Sequence, residues 1–163
     1  MSALADALER VHERLRARGQ TVAVAESLTG GLLAAALTST PGASQSFRGG
    51  LVVYATDLKA SLAGVSAQLL AERGAVDAEV AIELARGARS RLSASWGIGV
   101  TGVAGPQPQD GKAVGTVFVA VAGPGKTDET VTELGLEGDR NTIRSQTVEH
   151  SIALLDAAIG QPA

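Results

Sequence analysis

Ser27 stands between the apolar run Thr21–Ala25 and the pair Gly30 and Gly31, where Thr29, Gly30 and Gly31 can present bare backbone N–H groups toward a developing oxyanion. A serine so placed can attack a carbonyl, cap the helix that follows, or sit in a phosphate cradle, and the local residues leave all three open. The Gly-x-Ser-x-Gly pattern of α/β-hydrolases is absent, and no His and Asp pair is placed to activate the hydroxyl. A nucleophilic Ser27 would therefore need a lysine base, which works only where desolvation or nearby positive charge lowers the lysine pKa. Of the three lysines, Lys112 and Lys126 fall in glycine- and proline-rich loops, whereas Lys59 sits between Leu58 and Ala60 with Leu62 one turn on. Tyr54, the only tyrosine, precedes Lys59 by five residues, close enough to share a pocket and to relay or orient a proton. The alternatives are a core tyrosine with a satisfied hydroxyl and a lysine that snorkels to the surface.

Two further segments could bind rather than react. Thr101-Gly102-Val103-Ala104-Gly105-Pro106 carries small residues that let a ligand approach the backbone, which suits a ribose or a ring. Gly138-Asp139-Arg140 opens the last helix, where the helix dipole and a guanidinium could hold a phosphate, although an ordinary cap explains Asp139 equally well. His12 and His150 lie near opposite ends of the chain without the paired spacing that metal motifs need, so both read as structural or surface residues.

These segments must be positioned by the elements around them. Leu4, Leu8, Val11 and Leu15 recur at helical spacing up to Gly19, Thr21–Ala25 reads as a strand, and Leu32–Leu37 as a helix. Gly50–Tyr54 is the second strand expected, followed by short helices over Asp57–Leu62 and Ser66–Arg73. Asp77 caps a longer helix with Val80, Leu84 and Ala88 on its buried face, and Trp96–Val100 is the third strand. Val114–Val121 and Glu129–Leu136 flank Gly123-Pro124-Gly125 as an antiparallel return, and a final helix from Asp139 buries Ile143, Ile152 and Leu155. This alternation predicts one three-layer α/β/α domain over residues 1–163, with its core at about 5–158 and a mixed, mostly parallel sheet. In such sheets ligands collect outside the carboxyl ends of the strands, and that rule nominates the same four loops, at 26–31, 55–59, 101–111 and 138–140.

Composition limits the function classes. The hydrophobic fraction of 45% supports a real core in 163 residues, no run is long enough to span a membrane, and the charged start is no signal peptide, so a cytoplasmic protein without membrane partners is expected. Without cysteine, any covalent catalyst must be an oxygen or an amine. A net charge of −3 and 2% aromatic residues argue against a nucleic-acid surface, and the clusters Arg14, Arg16, Arg18 and Arg86, Arg89, Arg91 read as solvated helix faces. Alanine-rich helices make a homo-oligomer plausible.

Four segments in one order resemble the CinA carboxy-terminal domain family, which includes stand-alone nicotinamide mononucleotide deamidases: Ala25-Glu26-Ser27-Leu28-Thr29-Gly30-Gly31, Tyr54 with Lys59, Thr101 to Pro106 followed by Val114-Gly115-Thr116-Val117, and Gly138-Asp139-Arg140. The resemblance implies a metal-free hydrolase that turns nicotinamide mononucleotide into nicotinate mononucleotide and ammonia, with Ser27 as nucleophile and Lys59 as base, directly or through Tyr54, and with no organic cofactor. It also implies a substrate-facing set of Glu26, Thr29, Gly30 and Gly31 near the nucleophile, with Thr101, Gly102, Ala104 and Gly105 on the nucleotide wall and Arg140 at the phosphate. Two departures stand out: Leu28 where many relatives have cysteine, and Gln107 where an acidic residue is common, which bears on substrate preference. Longer family members carry a separate amino-terminal domain, for which this sequence is expected to have no room. The competing expectations are a noncatalytic nucleotide-binding or interaction module and an amidase acting on another small amide.

Overall fold

Strand β1 (Val22–Glu26) is buried along its whole length because strands flank it on both sides and helices cover both its faces. It lies second in a five-stranded sheet of order β2-β1-β3-β4-β5 in a computed structural model that describes residues 2–162. β2 (Phe47–Val52) and β3 (Trp96–Gly102) pair with it in parallel, while β4 (Thr116–Ala122) is antiparallel to both β3 and β5 (Glu129–Gly135). Two parallel and two antiparallel pairings make the sheet mixed, as the sequence predicts, with β4 alone opposing the other four strands.

Period-two alternation along the strands decides which helices cover which face. Val22, Val24, Ile98, Val100, Val119 and Val121 pack under α1 (Ala3–Ala17), α2 (Leu32–Thr38) and α6 (Arg140–Gly160). On the other face Ala23 and Ala25 meet α3 (Thr56–Ser61), α4 (Ala67–Arg73) and α5 (Ala78–Leu92), and Ala81 and Ala85 of α5 reach Ala120 and Ala122. α5 sits so close to β3 that a Cβ on Gly97 or Gly99 would collide with the carbonyls of Ala85 and Ala81. Small residues in the middle of the sheet are thus what lets the helix seat.

Helix boundaries follow the caps. Ser66 accepts from Leu69 N–H, Asp77 from Glu79 N–H and Asp139 from Thr142 N–H. β2 differs from expectation: it begins at Phe47, three residues before Gly50, because pairing with β1 starts at Val22 opposite Phe47. It ends at Val52, leaving Tyr54 outside the sheet. His12 is buried and structural, with Nδ1 at 2.6 Å from Ser46 Oγ and Nε2 at 2.8 Å from the Leu37 carbonyl, and His150 is exposed. No helix among the described residues is long and apolar enough to cross a membrane.

The chain leaves β1 across one face to reach β2 on one side, then returns across the other face to β3 on the opposite side. A crevice therefore opens between the ends of β1 and β3, at the point where the connections diverge. Ser27, Tyr54, the segment after β3 and the start of α6 all fall at this end of the sheet.

Candidate active site

The turn after β1 is set by Glu26. Its side chain is fully buried, and its carboxylate accepts the N–H groups of Gly31 at 3.3 Å, Leu33 at 2.9 Å and Ala34 at 3.1 Å. Those are donors that the first turn of α2 would otherwise leave orphaned, so Glu26 caps the helix and, against the expectation that it faces substrate, does not line the cleft that Ser27 lines. Gly30 and Gly31 take left-handed backbone angles, φ +57° and +104°, to make the turn. Their N–H groups are not bare, which corrects a second expectation. Gly30 N–H donates to Ser27 O at 3.1 Å, and that of Gly31 goes to Glu26. The N–H groups of Leu28 and Thr29 are the ones without a protein acceptor among the described residues. Ser27 is tied to the neighbouring strand by donating its own N–H to Val100 O at 3.1 Å.

Lys59 is 1% exposed, which rules out a snorkelling surface lysine. Its Nζ donates to Val53 O at 2.9 Å and Tyr54 O at 3.1 Å, and no carboxylate pairs with it among the described residues. Burial pulls its pKa down to about 8, against the opposing pull of the Asp110 charge. A neutral amine that donates two hydrogens to two carbonyls keeps one lone pair, which is what a general base needs. Among the described residues no hydrogen bond joins Lys59 to Ser27.

Tyr54 is not a core residue. The residue is 57% exposed and its hydroxyl accepts from Arg140 Nη2 at 2.7 Å, so the lysine touches the tyrosine backbone and the phenol serves the arginine. Arg140, the first residue of α6, also donates Nη1–H to Gly105 O at 2.6 Å. It has no carboxylate partner among the described residues, which leaves its charge available to an anion.

Ser27, Tyr54, Gly102, Ala104, Gly105 and Arg140 share the wall of one cleft of about 130 Å³. Glu26, Thr29, Gly30, Gly31, Thr101 and Lys59 do not line it. Thr101 is buried and donates its hydroxyl to Ala75 O at 2.7 Å, fixing the end of β3 to the segment after α4, and does not face the cleft. Gln109, Leu28 and Val103 line the cleft without having been singled out as contacts, and Gln107 joins them. Arg144 was also missed: it donates to Leu28 O at 2.9 Å and Thr29 O at 3.2 Å. Its spacing of four from Arg140, which puts both on one side of α6, was the available signal. A larger groove of about 940 Å³ runs between α1 and the end of α6, but its Arg10 and Arg14 are both engaged with Asp156. The smaller cleft is the candidate site, because a serine and an arginine without a carboxylate partner among the described residues line it together. No group of three His, Cys, Asp or Glu side chains suited to a metal occurs among the described residues.

Comparison with known proteins gives this cleft a family context. The family model described as the CinA C-terminal domain matches residues 4–159. A CinA-like protein of Frankia casuarinae is 54% identical over 139 residues, covering 85% of this chain and 31% of its own, and one of Gloeobacter violaceus is 48% identical over 138 residues, covering 84% and 32%. The chain thus spans about a third of the length of these curated relatives. The crystal structure of the competence/damage inducible protein CihA from Agrobacterium tumefaciens superimposes with a TM-score of 0.92 at 32% identity, over 99% of this chain and 98% of that one. A CinA superfamily protein from Enterobacter cloacae gives 0.93 at 30% identity over 98% and 94%.

Proposed function

Because the chain belongs to the CinA C-terminal domain family, we propose that its cleft hydrolyses the carboxamide of nicotinamide mononucleotide to nicotinate mononucleotide and ammonia. The observation that carries this reading is Lys59, a buried lysine without a carboxylate partner among the described residues, its pKa lowered to about 8, held by the backbone of Tyr54 on the wall of the cleft that Ser27 also lines. Structural lysines of this kind are uncommon, since burial without a counter-ion is costly unless the amine is neutral for a purpose.

In the proposed reaction the Ser27 Oγ bonds to the carboxamide carbon while its proton moves to neutral Lys59 Nζ. The carbonyl becomes an oxyanion, held by the free N–H groups of Leu28 and Thr29. Collapse breaks the C–N bond as the Lys59 ammonium returns the proton to the leaving nitrogen, releasing ammonia. Water then attacks the acyl-enzyme, giving a proton to Lys59, and the ester C–O bond breaks as Ser27 recovers it. Protons balance within one cycle, so no metal or organic cofactor is called on. The proton passes to Lys59 directly or through the Tyr54 hydroxyl, which accepts from Arg140 and keeps its own proton to pass on. Arg140 is assigned to the nucleotide phosphate and the small residues Gly102, Ala104 and Gly105 to the wall along the sugar and ring.

One observation favours a second reading, a noncatalytic nucleotide-binding module: both hydrogen bonds of Lys59 run to backbone carbonyls, as a purely structural lysine's would. Ammonia release from nicotinamide mononucleotide in the presence of chelator, by the purified protein and by Ser27→Ala and Lys59→Ala variants with intact folds, separates the two. Turnover lost in both variants supports the amidohydrolase. A folded chain that binds the nucleotide without releasing ammonia is the module, and turnover of nicotinamide or its riboside in preference to the mononucleotide marks an amidase on another small amide.

A further inference from the structure

The turn that carries Ser27 is held from two sides by charged residues that do not line the cleft. Glu26 takes the N–H groups of Gly31, Leu33 and Ala34. Arg144, one turn beyond Arg140 in α6, donates Nε–H to Leu28 O and Nη2–H to Thr29 O, and no carboxylate pairs with it among the described residues. A guanidinium that reaches across more than a hundred residues of chain for two carbonyls fixes the planes of two peptides.

Peptide planarity turns that into a statement about donors. In a trans peptide the carbonyl of one residue and the N–H of the next point in opposite directions. Drawing Leu28 C=O to Arg144 therefore turns Thr29 N–H away from the arginine. Ser27 C=O, held by Gly30 N–H, likewise sets the direction of Leu28 N–H. From residue 30 to 34 every N–H has a protein acceptor: Ser27 O for Gly30, Thr29 O for Leu32, and the Glu26 carboxylate for Gly31, Leu33 and Ala34. Leu28 and Thr29 alone in this turn keep N–H donors without an acceptor among the described residues, and Leu28 is on the cleft wall with Ser27. Thr29 is fully buried and its hydroxyl has no partner among the described residues, a second unsatisfied polar group at the same point. The Arg144 charge behind the two carbonyls polarises the Leu28–Thr29 and Thr29–Gly30 peptides and strengthens the N–H groups of Thr29 and Gly30 as donors, the second being the one that holds Ser27 O. Gly30 leaves room for it, since a Cβ there would lie 3.3 Å from Arg144 Nη2.

We infer that Arg144 is a positioning residue that aims Thr29 N–H directly, and Leu28 N–H through the Gly30 N–H that holds Ser27 O, at the oxyanion formed when Ser27 attacks a carboxamide. The inference rests on the acyl-transfer reading of the cleft, and it assigns to α6 two separate tasks one turn apart: Arg140 for the substrate's anion and Arg144 for the donors.

The test combines kinetics with a readout that needs no turnover. Ammonia release from nicotinamide mononucleotide is measured for wild type, Arg144→Lys and Arg144→Ala, the last with and without added ethylguanidinium, and the backbone amide resonances of Leu28 and Thr29 are followed by NMR in each. With the donors misaligned, kcat is expected to fall about a hundredfold in Arg144→Ala while KM changes less than about threefold, because a transition-state interaction is lost. Arg144→Lys, which keeps the charge but not the fork, is expected to recover only part of kcat, ethylguanidinium is expected to restore Arg144→Ala, and the Leu28 and Thr29 resonances are expected to shift in both variants. A kcat within about threefold of wild type, or a loss confined to KM, overturns the inference. Should the wild type release no ammonia, the reading of the reaction fails separately, and the resonances decide: if they stay in place in the two variants, Arg144 does not position these donors.

Discussion

Arg140 donates to the Tyr54 hydroxyl at 2.7 Å, joining the first residue of α6 to the segment that leaves β2. A second N–H of the same guanidinium goes to Gly105 O, so one side chain ties together three walls of the cleft while its charge stays unneutralised by any carboxylate among the described residues. A cation held rigidly by neutral acceptors is preorganised for an anion, because no ion pair must break when the anion arrives.

Arg140→Gln is therefore expected to raise KM for nicotinamide mononucleotide by about ten- to a hundredfold, the effect of losing one charged hydrogen bond worth about 1.5–3 kcal/mol. The riboside, which has no phosphate, should be turned over with unchanged KM. Tyr54→Phe removes an acceptor from Arg140 and should raise the mononucleotide KM by less than Arg140→Gln does. Steady-state kinetics on the two substrates checks both, and an equal effect on the riboside would remove Arg140 from the phosphate.

Glu26→Gln separates a helix cap from a substrate contact. Glutamine supplies one oxygen for the N–H groups of α2 and sets an NH2 against another, leaving a buried donor unmatched at a cost of about 1–3 kcal/mol. In a chain of this size that corresponds to a drop in Tm of roughly 2–12 °C. KM for the nucleotide should not move. A rise in KM with an unchanged Tm would return Glu26 to the substrate.

The helices, and the antiparallel return of β4 and β5, were legible because their signals are local: Asp77 and Asp139 announce caps, Val80, Leu84 and Ala88 repeat at helical spacing, and Gly123-Pro124-Gly125 marks the turn. Lys59 could be singled out by elimination among three lysines, and Ser27 by its place between a strand and a glycine pair together with the family resemblance. Roles fixed by partners distant in sequence were not legible. Glu26 reads as a pocket residue until its carboxylate is seen to gather the N–H groups of α2. Thr101 reads as a nucleotide contact until its hydroxyl is found on Ala75 O, and Arg144 was unremarkable until it was found on Leu28 and Thr29. In each case the sequence gives the residue's chemistry, but only the fold says which partner takes it up.

Rate and pH follow from Lys59. With a pKa of about 8, roughly a tenth of the lysine is neutral at pH 7. If its lone pair takes the Ser27 proton, kcat/KM should rise about tenfold from pH 7 and level off above about pH 9. Asp110 acts against the burial that lowers this pKa, so Asp110→Asn should move the midpoint of the profile downward. A profile flat from pH 7 to 9 would take Lys59 out of the proton path.

The same lysine couples folding to pH, and the sign follows from which state holds the proton. Unfolded, Lys59 has its ordinary value of 10.5; folded, burial sets it at about 8. Between these values the unfolded chain binds more protons, so stability rises with pH through this window and is complete above 10.5. Below about pH 8 both states are protonated and the burial penalty is present in full. The interval corresponds to about 3 kcal/mol for a side chain that is 1% exposed. Lys59→Met removes the titrating group while filling the same space, although it leaves the Val53 and Tyr54 carbonyls without their donor. That loss is independent of pH, and every other titrating group is common to both proteins. The difference in urea midpoint between wild type and Lys59→Met should therefore shift in favour of wild type as pH rises from 7 to 10. A difference that stays constant over that range would mean that Lys59 keeps its proton on folding, and the base proposed for Ser27 would be lost with it.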